Sequence, residues 1–283
     1  MNVKTGRCGS TAHWETVLRR GVCGLVVLGL TGIVAPRWAH ADFGSGWEAY
    51  QRGDFARAMS EWEDLAVSGD ARAQYNVGIL YADGRGVAPN PKRAMQWWKR
   101  AAAQGHVRAQ HNLGLALVAG QGGPPDYESA RKWFGMASES KFPNSMYSLG
   151  KLYQLGLGGE KDAGRALELF TAAAEAGFPN AAYNLGKAYR DGAGVLSDMP
   201  TSIRWFRVAA EAGYGKAQRN LASRMARGDG VPADDVEALK WATLAAEQGY
   251  EASRALRDKL AARMSDADRA RANAAVEAYR TAR

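Results

Sequence analysis

The sequence predicts an all-α protein, a right-handed α/α superhelical solenoid of stacked helix pairs. The chain aligns with itself without gaps at a spacing of 36 residues, a pair of glycines recurs at one place in every unit, and Asn or Asp recurs at another. A fixed period of roughly 20 to 50 residues is typical of solenoids, in which each unit buries its apolar face against its neighbours. The units, numbered 1 to 5 below, are residues 71–106, 107–142, 143–178, 179–214 and 215–250.

The first helix of each unit is predicted from apolar residues spaced four apart. Position 7 of every unit is Val or Leu and position 11 is Tyr, Leu or Met, so both lie on one helical face. Position 8 has no bulky side chain, and we expect a second helix to approach closely there. The residues at position 8 are Gly78, Gly114, Gly150, Gly186 and Ala222.

A G-x-G pair follows each first helix and is expected to end it, because glycine readily adopts the left-handed conformation of a helix C-terminus. The pairs are Gly84/Gly86, Gly120/Gly122, Gly156/Gly158, Gly192/Gly194 and Gly228/Gly230. They do not form a dinucleotide-binding fingerprint, since no strand precedes them and no third glycine opens the next helix.

The second helix is predicted to begin after position 20, where every unit has Asn or Asp. These side chains are preferred N-caps because they accept a hydrogen bond from an otherwise unpaired backbone N–H. The residues are Asn90, Asp126, Asp162, Asp198 and Asp234. Position 27 is Leu169 in unit 3 and tryptophan elsewhere, and we predict that this column forms the buried core between helices. The tryptophans are Trp97, Trp133, Trp205 and Trp241.

Both ends of the array depart from the pattern. Residues 42–70 are predicted to form a shorter, tetratricopeptide-like opening unit, and residues 251–283 are predicted to form capping helices, the last of them capped by Ser265. Unit 2 departs most within the array. Lys141 replaces the glycine that closes the other units, and Gly135 lies inside the second helix.

Residues 1–41 are predicted to be a cleaved signal peptide. Basic residues precede an apolar run at 21–34, and Ala39-His40-Ala41 has the small-x-small form of a cleavage site. The run is shorter than the roughly 20 apolar residues that a membrane span needs, so no stable span is expected after cleavage. An uncleaved anchor is the alternative. Arg19-Arg20 leaves both general secretion and twin-arginine export open.

Removal of the leader changes the charge. The chain has 37 Lys and Arg against 29 Asp and Glu, a formal net charge of +8, and residues 1–41 hold five of the former and one of the latter. The remainder carries +4, which is weak evidence for nucleic-acid binding. Both cysteines, Cys8 and Cys23, belong to the leader, so the mature chain has no disulfide and no thiolate nucleophile or ligand.

The pattern A-x-Y-N-L-G-x-x-Y-x-x-G-x-G-V followed by A-x-x-W resembles the Sel-one-like repeat family, a sister of the tetratricopeptide repeats. Residues 73–78 and 181–186 match it almost letter for letter. The resemblance covers all five units. It implies a solenoid that assembles other proteins, with positions 2, 5, 6, 9, 12 and 13 of the first helices facing a concave groove.

The candidate groove residues fall into two sets. Asparagines at position 6 could hold a peptide backbone, because an amide both donates and accepts; a helix–helix hydrogen bond is the alternative. They are Asn76, Asn112, Asn184 and Asn220. The other positions change from apolar in the early units, with Ile79, Leu115 and Val118, to basic in the later ones. The basic candidates are Lys151, Lys187, Arg190, Arg219 and Arg227. We expect them to complement an acidic segment, with a solvated basic face as the alternative.

Catalysis, metal binding and cofactor binding are not predicted. Residues 42–283 contain two histidines, His106 and His111, and the sequence has no G-x-S-x-G, H-E-x-x-H or phosphate-binding loop motif. The predicted function is therefore an exported, non-catalytic protein–protein interaction scaffold or adaptor, in the periplasm of a bacterium or secreted further. A cell-wall glycan binder or envelope hydrolase is the alternative. Nucleic acid is not an expected partner.

Overall fold

Fourteen helices and no strand make up residues 42–282, the part of the chain that the computed structural model describes. The predicted signal peptide lies outside these residues. The helices are α1 Phe43–Gln51, α2 Phe55–Ser68, α3 Ala71–Asp83, α4 Pro91–Ala103, α5 Val107–Val118, α6 Tyr127–Glu139, α7 Pro143–Leu155, α8 Ala163–Glu175, α9 Pro179–Asp191, α10 Met199–Glu211, α11 Gly215–Arg227, α12 Asp235–Glu247, α13 Glu251–Arg263 and α14 Asp266–Thr281. The all-α solenoid prediction is confirmed.

Helices α1 to α13 pack mainly against their neighbours in the chain, as stacked pairs must. The units contribute α3–α4, α5–α6, α7–α8, α9–α10 and α11–α12 in order, with α1–α2 before them. At the far end, α14 packs against α12, and the Tyr279 hydroxyl donates to the Ala210 carbonyl at 3.2 Å. The buried core lies within residues 49–276 in two clusters, one from Ala49 to Ala116 and one from Ala130 to Val276, and both belong to the region from residue 42 onward.

The helix boundaries follow from the predicted caps. The side chains at position 20 of all five units accept hydrogen bonds from backbone N–H groups at the starts of α4, α6, α8, α10 and α12. Nine of the ten G-x-G glycines have positive φ, and Gly122 is the exception. Unit 2 also ends its first helix one residue early, at Val118.

The aromatic residue that packs beneath the position 8 glycine lies at position 28, not at position 27. A β-carbon added at Gly78 would lie 2.4 Å from the Trp98 ring, and the other position 8 glycines meet Phe134, Phe170 and Phe206 in the same way. The predicted core role of the tryptophan column therefore holds only in part for Trp97, Trp133 and Trp205, which pack against the core but are only half-buried. Trp241 is fully buried, in the one unit where position 28 is alanine.

Lys141 occupies a backbone conformation that favours glycine. Its φ is +55°, and the glycines that close the other units have φ between +83° and +88°. We expect Lys141→Gly to raise the free energy of unfolding by about 1 kcal/mol, because a side chain in this conformation is strained. Urea unfolding of residues 42–283 measures the change. The reciprocal variant Gly177→Lys should lose a similar amount, and equal stability of all three proteins would contradict the argument.

Candidate ligand-binding surface on the first helices

The side chain at position 5 of the first helices of units 1 to 4 lies in the joint between successive units. Tyr147 lies between Phe170 and Phe178, at centroid distances of 5.7 and 5.2 Å, and Tyr183 is held in the same way by Phe206 and Tyr214. Such aromatic contacts fix the joint, since edge and tilted ring pairs add to the free energy of apolar burial. Position 5 therefore belongs largely to the joint and only its outer edge is available to a ligand.

Unit 2 replaces the usual tyrosine with His111. Its ring lies between Phe134 and Phe142, and its Nδ1 lies 2.9 Å from the Oγ of Ser145. Burial lowers the pKa of His111 to about 4, so the imidazole is neutral at pH 7. The other histidine, His106, caps α5 by accepting from the Ala109 N–H, and burial lowers its pKa as well. Both histidines thus have structural partners.

The asparagines at position 6 use their amides mostly within the protein. Asn184 is buried and donates to the Asn180 carbonyl at 2.9 Å and to the Tyr147 hydroxyl at 3.3 Å. Asn112 approaches the Tyr75 hydroxyl in the same way. For these two, the structure favours the helix–helix hydrogen bond over the peptide-holding alternative. The others remain on the surface: Asn76 lines a cavity, and Asn220 accepts from Arg224.

An aromatic cavity of about 440 Å³ lies at the N-terminal end, among α1, α3 and the start of α5. Trp47 is 45% exposed and lines it together with Phe43, Tyr75 and Asn76. Arg108 contributes a guanidinium at its rim. Further along the same helices, Leu115 is 46% exposed. The early units thus present an apolar surface.

The basic residues begin in the middle of the array. Lys151 is half-buried and donates to Gln154 Oε1 at 2.6 Å, and burial followed by the nearby charge of Lys187 lowers its pKa. Lys187 is one unit further along at the same position. Like charges repel, and an anion between them would offset the repulsion. The two ammonium groups make this part of the surface positive.

A pocket of about 460 Å³, formed by α9, α11 and the start of α13, is lined by four arginines. The residues that carry its chemistry are Arg190, Arg219, Asn220, Arg224, Arg227 and Ser253. The structure brings together four residues that were predicted from the sequence, Arg190, Arg219, Asn220 and Arg227. Arg224 and Ser253 were not predicted.

Arg224 occupies a position that belongs to the core in the other units. Position 10 is Leu80, Ala116, Leu152 and Ala188 in units 1 to 4, all buried, and Arg224 itself is only 8% exposed. Its Nε donates to Asn220 Oδ1 at 2.8 Å, and its Nη1 lies 3.1 Å from Asp229 Oδ2. The signal in the sequence is the charge itself, in a column that is otherwise aliphatic.

Residues 42–282 lack two kinds of feature. No group of three or more His, Cys, Asp or Glu side chains is arranged to hold a metal ion. None of the helices in this region combines the length and the apolar character needed to cross a membrane.

Comparison with known proteins agrees with this architecture. A crystal structure of a Sel1 repeat protein from Oxalobacter formigenes has 32% sequence identity and a TM-score of 0.69, over 76% of this chain and 85% of that one. A protective antigen of uropathogenic Escherichia coli with the same kind of repeat is 24% identical, with a TM-score of 0.48 over 83% of this chain and 61% of its own. An immunity protein from Pseudomonas aeruginosa is 18% identical, with a TM-score of 0.46 over 71% and 81%.

No curated protein matches the sequence. The family model for the Sel1 repeat matches more than half of the chain, and it does so in five places. The matched residues are 71–106, 107–142, 143–178, 179–214 and 215–250. The chain therefore belongs to the Sel1 repeat family.

Proposed function

We propose that the protein is an exported, non-catalytic scaffold that binds an acidic protein segment along the surface of its first helices. Sel1 repeats generally serve as protein–protein interaction scaffolds. The observation that supports binding of an acidic segment is the change from apolar to basic residues along that surface. It begins with the exposed Trp47 and Leu115 and ends in a pocket that holds four arginines.

A partner with an apolar stretch followed by acidic residues would complement both halves. The apolar side chains would fill the aromatic cavity beside Trp47, where burial of nonpolar surface supplies affinity. The acidic residues would pair with Lys187 and with the arginines of α9 and α11, which fixes direction and register more than it adds affinity. Location in the periplasm belongs to the same proposal and is supported by the leader-like residues 1–41.

Co-purification from the native host tests the proposal. The full chain with a C-terminal tag is expressed in the native host, so that its leader can direct export. Complexes in the envelope are crosslinked and washed, and the bound proteins are identified by mass spectrometry. We expect one or two dominant protein partners with an acidic segment. Retention of cell-wall glycan without a protein would instead support the alternative function.

Charge reversal then locates the surface. Lys187→Glu/Arg190→Glu should weaken binding of the acidic segment about tenfold and reduce its salt dependence, because two attractive charges become repulsive. Lys92→Glu/Lys99→Glu on α4 makes the same change of net charge on a second helix and should bind like the unmodified protein. If both double variants bind equally, the segment does not lie on the first helices.

A further inference from the structure

The arginine pocket at the C-terminal end coincides with the places where unit 5 departs from the other units. Position 5 is Arg219, where units 1 to 4 have Tyr or His, and position 10 is Arg224, where they have Leu or Ala. Ser253, in the next helix, takes a position that is alanine in four of the five units. All three residues line one cavity, together with Arg190 and Arg227. Substitutions without a functional role would be expected at scattered positions. These substitutions lie together in one pocket.

A buried guanidinium is costly at a position where an aliphatic side chain fits, since the charge loses hydration. Arg224 offsets part of that cost with hydrogen bonds from its Nε to Asn220 and from its Nη1 to Asp229. Its Nη2 has no partner within residues 42–282 and keeps two hydrogens for water or a ligand. A stable fold alone does not require this arrangement, and an anionic ligand would explain it.

The carboxylates around the pocket do not neutralise it. Asp191 pairs with Arg190 at 2.6 Å, and Asp229 lies 3.1 Å from Arg224 and 3.6 Å from Arg227. Arg219 has no carboxylate partner in the described region and lies over the Tyr250 ring at 5.5 Å. Four guanidinium groups against two carboxylates leave a charge of +2, which a dianion would balance.

Ser253 is an independent sign that the pocket accepts a ligand. The residue is 1% exposed, and its hydroxyl is one of two buried side-chain polar atoms without a hydrogen-bond partner in the region from 42 to 282. Buried polar groups are rarely left unpaired, because they lose their hydrogen bonds to water on folding. Ser253 lines the pocket, so an acceptor oxygen bound there could satisfy it.

We propose that this pocket binds a phosphate group, either free phosphate or a small phosphomonoester. Phosphate has a charge of about −1.5 to −2 at neutral pH and several acceptor oxygens, which match the +2 charge and the arginine, asparagine and serine donors. Arginine suits it because the planar guanidinium can donate two parallel hydrogen bonds to two oxygens of one group. The proposal goes beyond the scaffold role, since it assigns a small anion to the pocket itself, whose arginines the acidic segment would otherwise contact.

Calorimetric titration of residues 42–283 tests it, at about pH 7.5 and about 150 mM salt so that phosphate is dianionic and long-range attraction is screened. The probes are inorganic phosphate and glycerol phosphate, with acetate at equal ionic strength as the reference anion. We expect one phosphate site per chain and no binding of acetate. Tighter binding of glycerol phosphate would assign the site to an esterified phosphate, and tighter binding of inorganic phosphate would assign it to the free ion. Absence of binding by both would overturn the proposal.

Substitutions in the pocket test whether phosphate binds there. Arg224→Leu restores the residue type of the other units and should weaken phosphate binding more than tenfold without lowering the unfolding temperature. Arg219→Leu removes an exposed arginine and should weaken binding by a similar factor, and Ser253→Ala should weaken it several-fold. Arg204→Leu removes one exposed guanidinium from α10, outside the pocket, and should leave the affinity unchanged. If Arg224→Leu and Arg219→Leu both bind phosphate as tightly as the unmodified protein does, phosphate does not bind in this pocket.

The outcome is separable from that of the scaffold proposal. Loss of phosphate binding in Arg224→Leu with unchanged binding of an acidic segment would support the phosphate site alone. Failure of the Lys187→Glu/Arg190→Glu test with intact phosphate binding in the unmodified protein would count against the scaffold surface and leave the pocket assignment standing.

Discussion

Replacing Gly186 with alanine is expected to lower the free energy of unfolding by about 2 kcal/mol, although alanine is the better helix former. The added β-carbon would lie 2.6 Å from Cδ1 of Phe206, whose ring is 0% exposed and has no room to move. Relief would require α9 and α10 to separate, which would loosen their contacts along the whole helix pair. Urea unfolding of residues 42–283 measures the loss.

Gly135 offers a matched control. It also lies within a helix, but a β-carbon there would meet no atom within 4 Å. Gly135→Ala should therefore raise the free energy of unfolding by about 0.5 to 1 kcal/mol through helix propensity. Phe206→Leu should recover part of the loss in the Gly186→Ala background. If the two glycine substitutions change stability in the same direction, the close approach is not what selects glycine at position 8.

Most of the fold could be predicted from the repeat pattern, because each column of the alignment has one physical role. Capping residues and positive-φ glycines can be assigned from residue type alone, since few side chains perform those tasks. The aromatic partner of Gly186 could not be assigned so directly. Positions 27 and 28 are adjacent on the same helix, both are aromatic in most units, and tryptophan is the more conspicuous residue.

Unit 5 contains the information that separates the two positions. Glycine changes to Ala222 in the same unit in which the position 28 aromatic changes to Ala242, and tryptophan remains at position 27 as Trp241. A side chain gained on one helix is matched by a ring lost on the other, which identifies position 28 as the contact. Two compensating substitutions within one chain therefore identify residues that pack together. Residue composition alone does not identify them.

The candidate site was predictable only where its residues lie on positions expected to be exposed. Arg190, Arg219 and Arg227 occupy such positions, and the structure places them in one pocket. Arg224 lies at a core position, and Ser253 lies beyond the last unit, so neither entered the list of surface candidates. Their inclusion depends on how α11 packs against α13, which periodicity does not describe.

The stability of the protein is expected to fall by about 3 kcal/mol between pH 6.5 and pH 4 because of His111 alone. Burial lowers the pKa of this imidazole from 6.5 to about 4 in the folded state. Below pH 6.5 the unfolded chain therefore takes up a proton that the folded protein does not. The contribution of His111 is fully present above pH 6.5 and is lost as the pH falls towards 4.

The other units suggest how to remove this dependence without disturbing the joint. Where position 5 is tyrosine, the first helix of the next unit has alanine at position 3, as in Tyr147 with Ala181. The variant His111→Tyr/Ser145→Ala installs that pair, and it should match the unmodified protein at pH 7.5 to within about 1 kcal/mol. Between pH 6.5 and pH 4 it should lose about 3 kcal/mol less than the unmodified protein does.

Urea unfolding at a series of pH values measures the difference, and the histidine ring resonances in NMR spectra give the pKa directly. His106→Asn is the control, because His106 also has a pKa lowered by burial but is only half-buried, and asparagine preserves the cap of α5. It should flatten the pH profile less than the double variant does. A resonance of His111 that titrates near 6.5 in the folded protein would contradict the argument, since a neutral, buried imidazole bonded to Ser145 could not take up a proton there without loosening the joint between units 2 and 3.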